Sequence, residues 1–366
     1  MKMLTKNRLF LDVHAIQTVP PSNINRDDTG SPKTAQYGGG RRARVSSQAW
    51  KRAMREYFYK YSEIRNVGIR SLEIVRYVAK HIAQIEPTKS EEEAIKLAEE
   101  VINAAGVKTS DNRVKALFFL GEYQAKGLAE AALRGNTDKN TLQKILRDKP
   151  SIDIALFGRM VADDPSLNED ASSQVAHAIS THAVQTEFDF FTAVDDLAPK
   201  DNAGAGMLGT IEFNASTLYR YANVAVHDFA EKLKDKKATI EALQLFVEAF
   251  SNSLPTGKVN TFANQTLPQA IIVSLRTDRP VNLVSAFEQP IKSSDGYVYQ
   301  SIEQLCREQK KVQKFIKEPE VSLILTTEDL KEGTSIGKNV DTLADILKEM
   351  NKALENLLSD DQNDYL

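Results

Sequence analysis

Apolar and polar residues alternate at the start of the chain, from Arg8 to Val19 (RLFLDVHAIQTV). Alternation with period two, on a background of apolar residues, is typical of a largely buried β-strand. Proline cannot donate to a strand ladder, so Pro20 and Pro21 predict the end of this strand. The connection from there to Ser46 is about twice as long as ordinary loops, a length usual for functional or disordered segments.

A helical repeat follows this loop. Its apolar positions recur three or four residues apart, as on one helix face, and Ser46 or Ser47 is a suitable N-cap. The repeat consists of Trp50, Met54, Tyr57, Phe58 and Tyr61.

Helical patterns then dominate from about Glu63 to Asp164. Ser90 and Glu93 have capping-box spacing, and Gly106 stands where this helix should end. A second apolar stripe runs from Val114 to Ala132 and predicts another helix. Strand signals are weak here, so the segment is interpreted as a helical insertion.

The remaining chain mixes both patterns. Gly204, Gly206 and Gly209 spell GxGxxG, but a strand-like stretch follows them, so the tip of a β-hairpin fits better than a dinucleotide site. The predicted elements are a helix over 171–184, a strand over 210–227, a helix over 239–253, strands over 270–275 and 321–326, a helix over 301–317 and a final amphipathic helix. Together they predict an α+β fold whose opening suits a ferredoxin-like, RRM-like core, in which a sheet face or its adjoining loops meet RNA.

Composition narrows the class of protein. The chain has 366 residues with 42% hydrophobic content and one cysteine, Cys306, which excludes an internal disulfide and fits a reducing cytoplasm. It has no apolar run of membrane-spanning length and no signal-peptide pattern at Met1, so we expect a cytoplasmic protein without a membrane partner. His177 and His182 are five residues apart and no histidine pair has zinc spacing, so we expect no metal and no cofactor.

Positive charge is concentrated between Asn23 and Arg55, within a chain of formal net charge −3. This stretch holds eight basic and two acidic residues. Gly38, Gly39 and Gly40 allow close backbone approach, and the arginines after them have guanidinium groups that suit phosphate oxygens. With a helix N-terminus beyond, the pattern predicts a track for a nucleic-acid backbone. The alternative is a solvated basic helix face after a flexible loop.

The same residues closely resemble a known family. NRDD, followed by GGGRRARVSSQAWKRAMR, is similar to the N-terminus of the Cascade backbone subunit, the CasC family of type I-E CRISPR effectors. Further resemblances follow in the same order over about three quarters of the chain. They are DIALFGRM (153–160), VAHAISTHAV (175–184), FDFFTAVDDL (188–197), LGTIEFNASTLYRYANV (208–224) and VSAFEQPI (284–291).

The resemblance implies a hand-shaped subunit with five segments. These are the first part of an RRM-like palm (1–62), helical fingers (63–172), a return to the palm (173–187), a β-hairpin thumb (188–215) and the second part of the palm with a C-terminal helix (216–366). It implies binding of the CRISPR guide RNA, presentation of its bases to target DNA in antiviral defence, and a head-to-tail helical assembly of further copies. It also implies the other Cascade subunits as partners: the large subunit, the small subunit, the 5′-handle-binding subunit and the crRNA-processing endonuclease.

Charge pattern and resemblance together predict the RNA-binding residues. From the basic stretch these are Asn25, Arg26, Lys33, Arg41, Arg42, Arg44, Ser46, Gln48, Lys51, Arg52 and Arg55. The resemblance adds Met160 as a base wedge, Met207 and Leu208 as the thumb tip, and Lys258 and Asn260 in a second RNA-facing loop. A core methionine is the alternative for Met160. For Tyr219 and Tyr221, ordinary strand packing is preferred to base stacking.

Two other functions remain open from the sequence. Asp27 and Asp28 follow the first strand, where an aspartate pair could hold a metal ion for RNA cleavage. The resemblance is to a family not known to cut, so we expect no catalytic residues. A generic single-strand RNA-binding protein without a guide role is the other alternative.

Overall fold

A computed structural model describes residues 8–61, 66–161, 163–193, 208–330 and 337–358. Its strands are β1 Phe10–Ser22, β2 Thr34–Tyr37, β3 Gly40–Val45, β4 Ile69–Ser71, β5 Thr109–Ser110, β6 Arg113–Val114, β7 Phe118–Leu120, β8 Ser173–Val175, β9 Ala178–Ser180, β10 Glu187–Thr192, β11 Leu208–Ala225, β12 Ala270–Arg276, β13 Val321–Thr326 and β14 Lys338–Asn339. Its helices are α1 Ser47–Tyr61, α2 Ile74–Ile85, α3 Glu91–Ala104, α4 Glu122–Leu133, α5 Lys139–Arg147, α6 Ile152–Phe157, α7 Val226–Leu233, α8 Lys236–Asn252, α9 Val259–Phe262, α10 Val298–Val312 and α11 Leu343–Leu357.

Within these residues, one ten-stranded sheet organises the protein. The strands lie in the order β14-β13-β12-β1-β11-β9-β3-β2, and β8 and β10 also pair with β11. Six elements occur in a β-α-β-β-α-β order along the chain, with other elements between them: β1, α1, β9, β11, α8 and β12. The four strands of this series are antiparallel neighbours, in the order β12-β1-β11-β9. The predicted α+β class is therefore confirmed.

The first strand is longer than predicted, because Pro20 and Pro21 do not end it. β1 pairs with β11 from Phe10–Ala225 to Val19–Ser216 and resumes at Ser22–Asn214 after a shift in register. The two prolines lie within this irregularity, where a missing N–H does not interrupt the ladder.

The predicted long loop contains a β-hairpin. β2 and β3 are joined by Gly38 and Gly39, with φ values of 57° and 73°. Two consecutive residues with positive φ are the requirement of the tight hairpin turn that suits twisted strands. The arginines beyond the glycines therefore lie on a strand, which fixes the face that each presents.

Two helix predictions were wrong. Residues 171–184 form β8 and β9, which pair with β11, so sheet pairing overrides local helix preference. The stripe from Val114 to Ala132 begins in β6 and β7, and α4 starts only after Gly121. The capping box of Ser90 and Glu93 is confirmed, as is Gly106 at positive φ after α3.

Both faces of the central strands of the sheet are covered. On one face, α1, α8 and α11 bury residues such as Leu11, Val13 and Phe246. On the other, α10 and the segment 283–287 pack on Ile16 and Tyr219. The helical segment has a separate core drawn from α2, α3, α4 and α5. The central strands β1, β11 and β12 therefore have no open face, whereas β10 at the end of β11 is exposed.

No helix in the described ranges combines the length and apolar character needed to span a membrane.

Candidate nucleic-acid interface

Arg42 connects the β2–β3 hairpin to the rest of the protein through hydrogen bonds. Its side chain is buried, and its guanidinium donates to the carbonyl oxygens of Ser180 (2.8 Å), Phe287 (2.8 Å) and Glu288 (3.3 Å). Burial lowers the pKa of Arg42, which Tyr37 and Glu288 partly offset. Arg42 was expected to bind RNA. Its Nη1 and Nη2 groups instead donate to carbonyl oxygens inside the protein, so it supports the hairpin.

The turn of the hairpin is held against the same segment. A Cβ added at Gly38 would overlap the backbone carbonyl of Glu288, whereas nothing lies within 4 Å of the corresponding position at Gly39. The Tyr37 hydroxyl also donates to the carbonyl oxygen of Val284, at 3.3 Å. The sequence correctly predicted that glycine allows a close approach of the backbone here. The group that approaches is the protein's own backbone at Glu288.

We expect Gly38→Ala to displace the hairpin and to weaken RNA binding about tenfold. Gly39→Ala is the matched control, since it has the same positive φ but open space. RNA affinity would be measured for both variants by fluorescence anisotropy. Equal losses in the two variants would show that the contact with Glu288 is unimportant.

The N-terminus of α1 is assembled from three segments. The Asn25 side-chain oxygen accepts a hydrogen bond from the Ser46 amide (2.8 Å), and Ser46 is buried and accepts the first hydrogen bonds of the helix. His177 Nδ1 lies 3.3 Å from the Ser47 amide, which donates to it, and 3.3 Å from Arg44 Nη1. Asn25 and Ser46 therefore position this end of the helix.

His177 was missed as a member of the site, because its interpretation rested on a helix that does not exist. Its pKa is lowered by burial and by the positive charges of Arg44 and Lys33. A lowered pKa keeps the ring neutral near pH 7, so that Nδ1 can accept from Ser47 and Arg44. No spacing along the chain connects His177 with Arg44, 133 positions earlier.

Three cations on or next to the hairpin are called here the hairpin cluster: Lys33, Arg41 and Arg44. Lys33 and Arg44 are close to His177 at this helix end, and Arg41 lies farther along β3. Arg41 is exposed, and its Nε approaches the Thr34 hydroxyl at 3.4 Å. Arg44 is half-buried, and its Nε donates to the Thr34 carbonyl at 3.3 Å. The contacts orient both guanidinium groups, which still have further donors to offer a phosphate.

The predicted donor face of α1 divides into two parts. Gln48 and Arg52 are exposed, and Arg52 pairs with Glu56 at 2.9 Å. Lys51 lies 5.8 Å from the centre of the Phe157 ring, and burial lowers its pKa. Arg55 bonds the buried carboxylate of Asp153 at 3.1 Å, so it joins α1 to α6.

Asp153 also binds the helical segment, through the Gly68 amide at 2.9 Å. The Arg55 guanidinium in addition lies 4.2 Å from the centre of the Phe119 ring. Removing Arg55 would leave the buried carboxylate of Asp153 without its cation. Arg55 therefore serves primarily to connect α1 with the helical segment.

The second predicted loop lies beside the first. A Cβ added at Gly257 would overlap the carbonyl of Ile24, which places Lys258 and Asn260 next to Asn25 and Arg26. Lys258 has a left-handed backbone, φ 53°, and Asn260 is exposed. The structure thus brings together two loops that are more than 200 positions apart.

The predicted apolar contacts are on the surface. Met160 is 85% exposed, which excludes a core methionine, and Leu208 is 64% exposed at the start of β11. β10 and β11 pair as a hairpin from Glu187–Phe213 to Thr192–Leu208. Met207, the other residue of the predicted tip, lies outside the described residues.

Asp27 is engaged within its own turn. Its Oδ1 accepts from the Thr29 amide (3.0 Å), the Thr29 hydroxyl (2.7 Å) and the Ser31 amide (3.0 Å), and the hydrogen bond from the Thr29 hydroxyl is the main cause of its lowered pKa. Asp28 is exposed next to it. In the described ranges, no three histidine, cysteine, aspartate or glutamate side chains are grouped as metal ligands would be.

Comparison with known proteins identifies the family. The model of the CT1975-like protein family matches residues 11–352, nearly the whole chain. The chain belongs to this family. Among curated proteins, none matches it.

Solved structures agree with a CRISPR-associated protein. One similar chain, from a structure described as a CRISPR RNA-guided surveillance complex, pre-nicking, has a TM-score of 0.83 and 32% identity. The match covers 94% of this chain and all of that one. A chain from another CRISPR RNA-guided surveillance complex has a TM-score of 0.65 and 29% identity, over 94% and 99% of the two chains.

In this CT1975-like chain, the tyrosines of β11 are structural, as preferred from the sequence. Tyr219 and Tyr221 are buried, and their hydroxyls contact His14 (3.0 Å) and Asp12 (2.8 Å). Arg220 points to the opposite face of the sheet, where its guanidinium lies 3.7 Å from the centre of the Trp50 ring.

Proposed function

We propose that this protein is a repeated backbone subunit of a type I-E CRISPR RNA-guided surveillance complex. It binds the phosphates of the guide RNA without regard to sequence and leaves the bases free to pair with target DNA. In such complexes base pairing reads the sequence, and the protein holds the backbone.

The observation that carries the proposal is the placement of the hairpin cluster. Arg44 and Lys33 lie beside His177 at the N-terminus of α1, and Arg41 continues the positive charge along β3, at the edge of the sheet that β2 and β3 form. Guanidinium groups, an ammonium group and a helix N-terminus all favour anions, and phosphate contacts of this kind are independent of sequence. The similarity to chains of surveillance complexes supports the same class of ligand.

The covered sheet is consistent with a backbone grip. In RRM domains, bases stack on aromatic residues of the open sheet face. Here Tyr219 and Tyr221 are buried beneath α10 and the segment 283–287. We infer that bases are left unstacked by the sheet and point away from it, as pairing with a target strand requires.

The other expected contacts complete the proposal. The β10–β11 hairpin acts as the thumb, with Leu208 near its end, and reaches the RNA held by a neighbouring copy in a head-to-tail assembly. Met160 separates bases at the fingers. The remaining Cascade subunits bind at the ends and along one side of this assembly.

The subunit is not a nuclease in this proposal. The Asp27 carboxylate, the first candidate ligand of a catalytic metal, already accepts three hydrogen bonds that close its own turn. Asp27 therefore shapes the loop that leads to Arg26 and Lys33.

Purification of the tagged protein from its native host tests this function. We expect a short RNA of discrete length and several further proteins to copurify, and sequencing should identify the RNA as a processed CRISPR transcript. A generic RNA-binding protein would instead carry RNA of mixed length and origin, and would have no fixed partners. That outcome would refute the guide role.

A further inference from the structure

The outer side of α10 carries a row of cations that the guide-binding proposal does not use. Arg307, Lys310 and Lys311 share one helix face, and Lys314 continues the row in the turn that follows, where its amide donates to the Lys311 carbonyl. The opposite face of α10 packs on the sheet. The residues called here the α10 stripe are Arg307, Lys310, Lys311, Lys314 and Lys317.

The charged ends of the side chains in the stripe face solvent. Arg307 pairs with Glu303 at 3.0 Å, but its side chain is 59% exposed whereas that of Glu303 is 15% exposed. Lys311 pairs with Glu308 at 3.4 Å, with 62% and 13% exposure. The carboxylates thus lie beneath the cations, and exposed pairs of this kind leave most of the positive charge available to a ligand.

An aromatic ring stands among these cations. Phe315 is 89% exposed, between Lys314 and Lys317 in sequence. Cations near a helix C-terminus are favourable by themselves, because they complement the helix dipole. That effect does not account for a phenylalanine in water. A ring beside a row of cations is the combination on which single-stranded nucleic acids stack and are held.

The C-terminal end of the α10 stripe is distant from the hairpin cluster, although Glu308 in the middle of α10 is close to Tyr37 of the hairpin. The Lys317 carbonyl accepts from Arg276 at the end of β12, at 3.0 Å, and the Lys317 amide donates to Asp278 at 3.2 Å. The hairpin cluster is at β3, and β1, β11 and β9 lie between β12 and β3. Four strand spacings correspond to roughly 19 Å, so one phosphate cannot contact both the Lys317 end of the stripe and the hairpin cluster.

We propose that the α10 stripe is a second binding site, for a single-stranded nucleic acid other than the guide. The cations hold phosphates and Phe315 stacks on a base, so the site accepts any sequence. An acidic protein segment would use the same charges but would gain nothing specific from the exposed ring.

The test uses the full-length chain with one equivalent of a short unlabelled single-stranded RNA, which we expect to fill the tighter guide path and to leave the α10 stripe free. Fluorescent oligo-dT is then titrated against the wild type, the charge variant R307Q/K310Q/K311Q/K314Q and the ring variant Phe315→Ala. We expect the charge variant to bind oligo-dT at least tenfold more weakly and Phe315→Ala about fivefold more weakly. The affinity for the first equivalent of RNA, which the guide path binds, should stay unchanged in both.

The matched control removes four exposed cations from the helical segment, K80Q/K96Q/K126Q/R134Q. It should retain oligo-dT binding, and circular dichroism melting checks that all variants fold. Equal losses in the control and the charge variant would overturn the proposal, as would labelled polyglutamate binding as tightly as oligo-dT.

This design tests the guide-binding proposal and the α10 proposal independently, because each can be refuted without the other. Replacing the hairpin cluster by alanine should weaken binding of the first RNA equivalent about 50-fold and keep oligo-dT binding at the α10 stripe. Loss of both ligands in that variant would mean that α10 has no site of its own.

Discussion

Replacing Lys33, Arg41 and Arg44 together by alanine is expected to reduce RNA affinity about 50-fold at about 0.15 M salt. Each phosphate contact to a single strand contributes about 0.7 to the slope of log K against log salt, so the slope should fall by about 2. The loss should be the same for oligo-U, oligo-A and a mixed sequence, because phosphates are alike in all three. Fluorescence anisotropy at several salt concentrations measures both quantities.

The control removes three cations elsewhere, Arg76, Lys80 and Arg134, on the outer face of the helical segment. Its salt slope should remain that of the wild type. If the hairpin variant also keeps the wild-type slope, these three residues do not contact phosphates and the proposed RNA path is wrong. A loss confined to one RNA sequence would instead indicate base recognition.

Trp50→Ala is expected to lower the free energy of unfolding by about 3–5 kcal/mol, the usual cost of removing a large aromatic side chain from a core. The Trp50 ring is buried and covers the guanidinium of Arg220, whose other face lies against Phe250 at 4.4 Å. Arg220 also donates to Gln17 (2.5 Å) and to the Phe250 carbonyl (2.6 Å). Burial lowers the pKa of Arg220 to about 9, so loss of the ring removes one of the few groups that stabilise its charge.

Urea unfolding followed by circular dichroism measures this effect, since Trp50 is the only tryptophan and its fluorescence is lost in the variant. Trp50→Phe is the control. It keeps an aromatic face over Arg220 and should cost less than about 2 kcal/mol. Equal costs for the two variants would mean that the contact between ring and guanidinium contributes little to stability. The lost volume of the indole would then account for the decrease in the free energy of unfolding.

Strong periodic patterns along the chain predicted the main strands and several helices. β13 has the predicted bounds, β12 differs by one residue, and the capping box places the start of α3 correctly. Residues 171–184 failed because short strands on either side of a turn resemble a helix in apolar spacing. Their partner β11 follows them by about 40 positions, beyond the reach of any local pattern.

The sequence predicted which residues make up the candidate site, but not which of its cations face solvent and which bind other parts of the protein. Charge density placed it between Asn23 and Arg55, and the described structure keeps Lys33, Arg41, Arg44 and Arg52 at least partly exposed. Arg42 and Arg55 have the same chemistry, yet one holds backbone carbonyls and the other a buried carboxylate. A cation that binds protein and one that binds phosphate differ in their surroundings, which the residue type does not specify.

By itself, the sequence determined where positive charge accumulates, where helices are capped and which segments alternate as strands, because each depends on residues a few positions apart. The tertiary structure alone decided which cations reach solvent, that the central strands of the sheet are covered on both faces and that His177 joins the N-terminus of α1. These depend on burial by distant segments: Arg42 meets the Phe287 carbonyl 245 positions later. Whether a side chain is surrounded by water or by protein is settled only when such segments pack together.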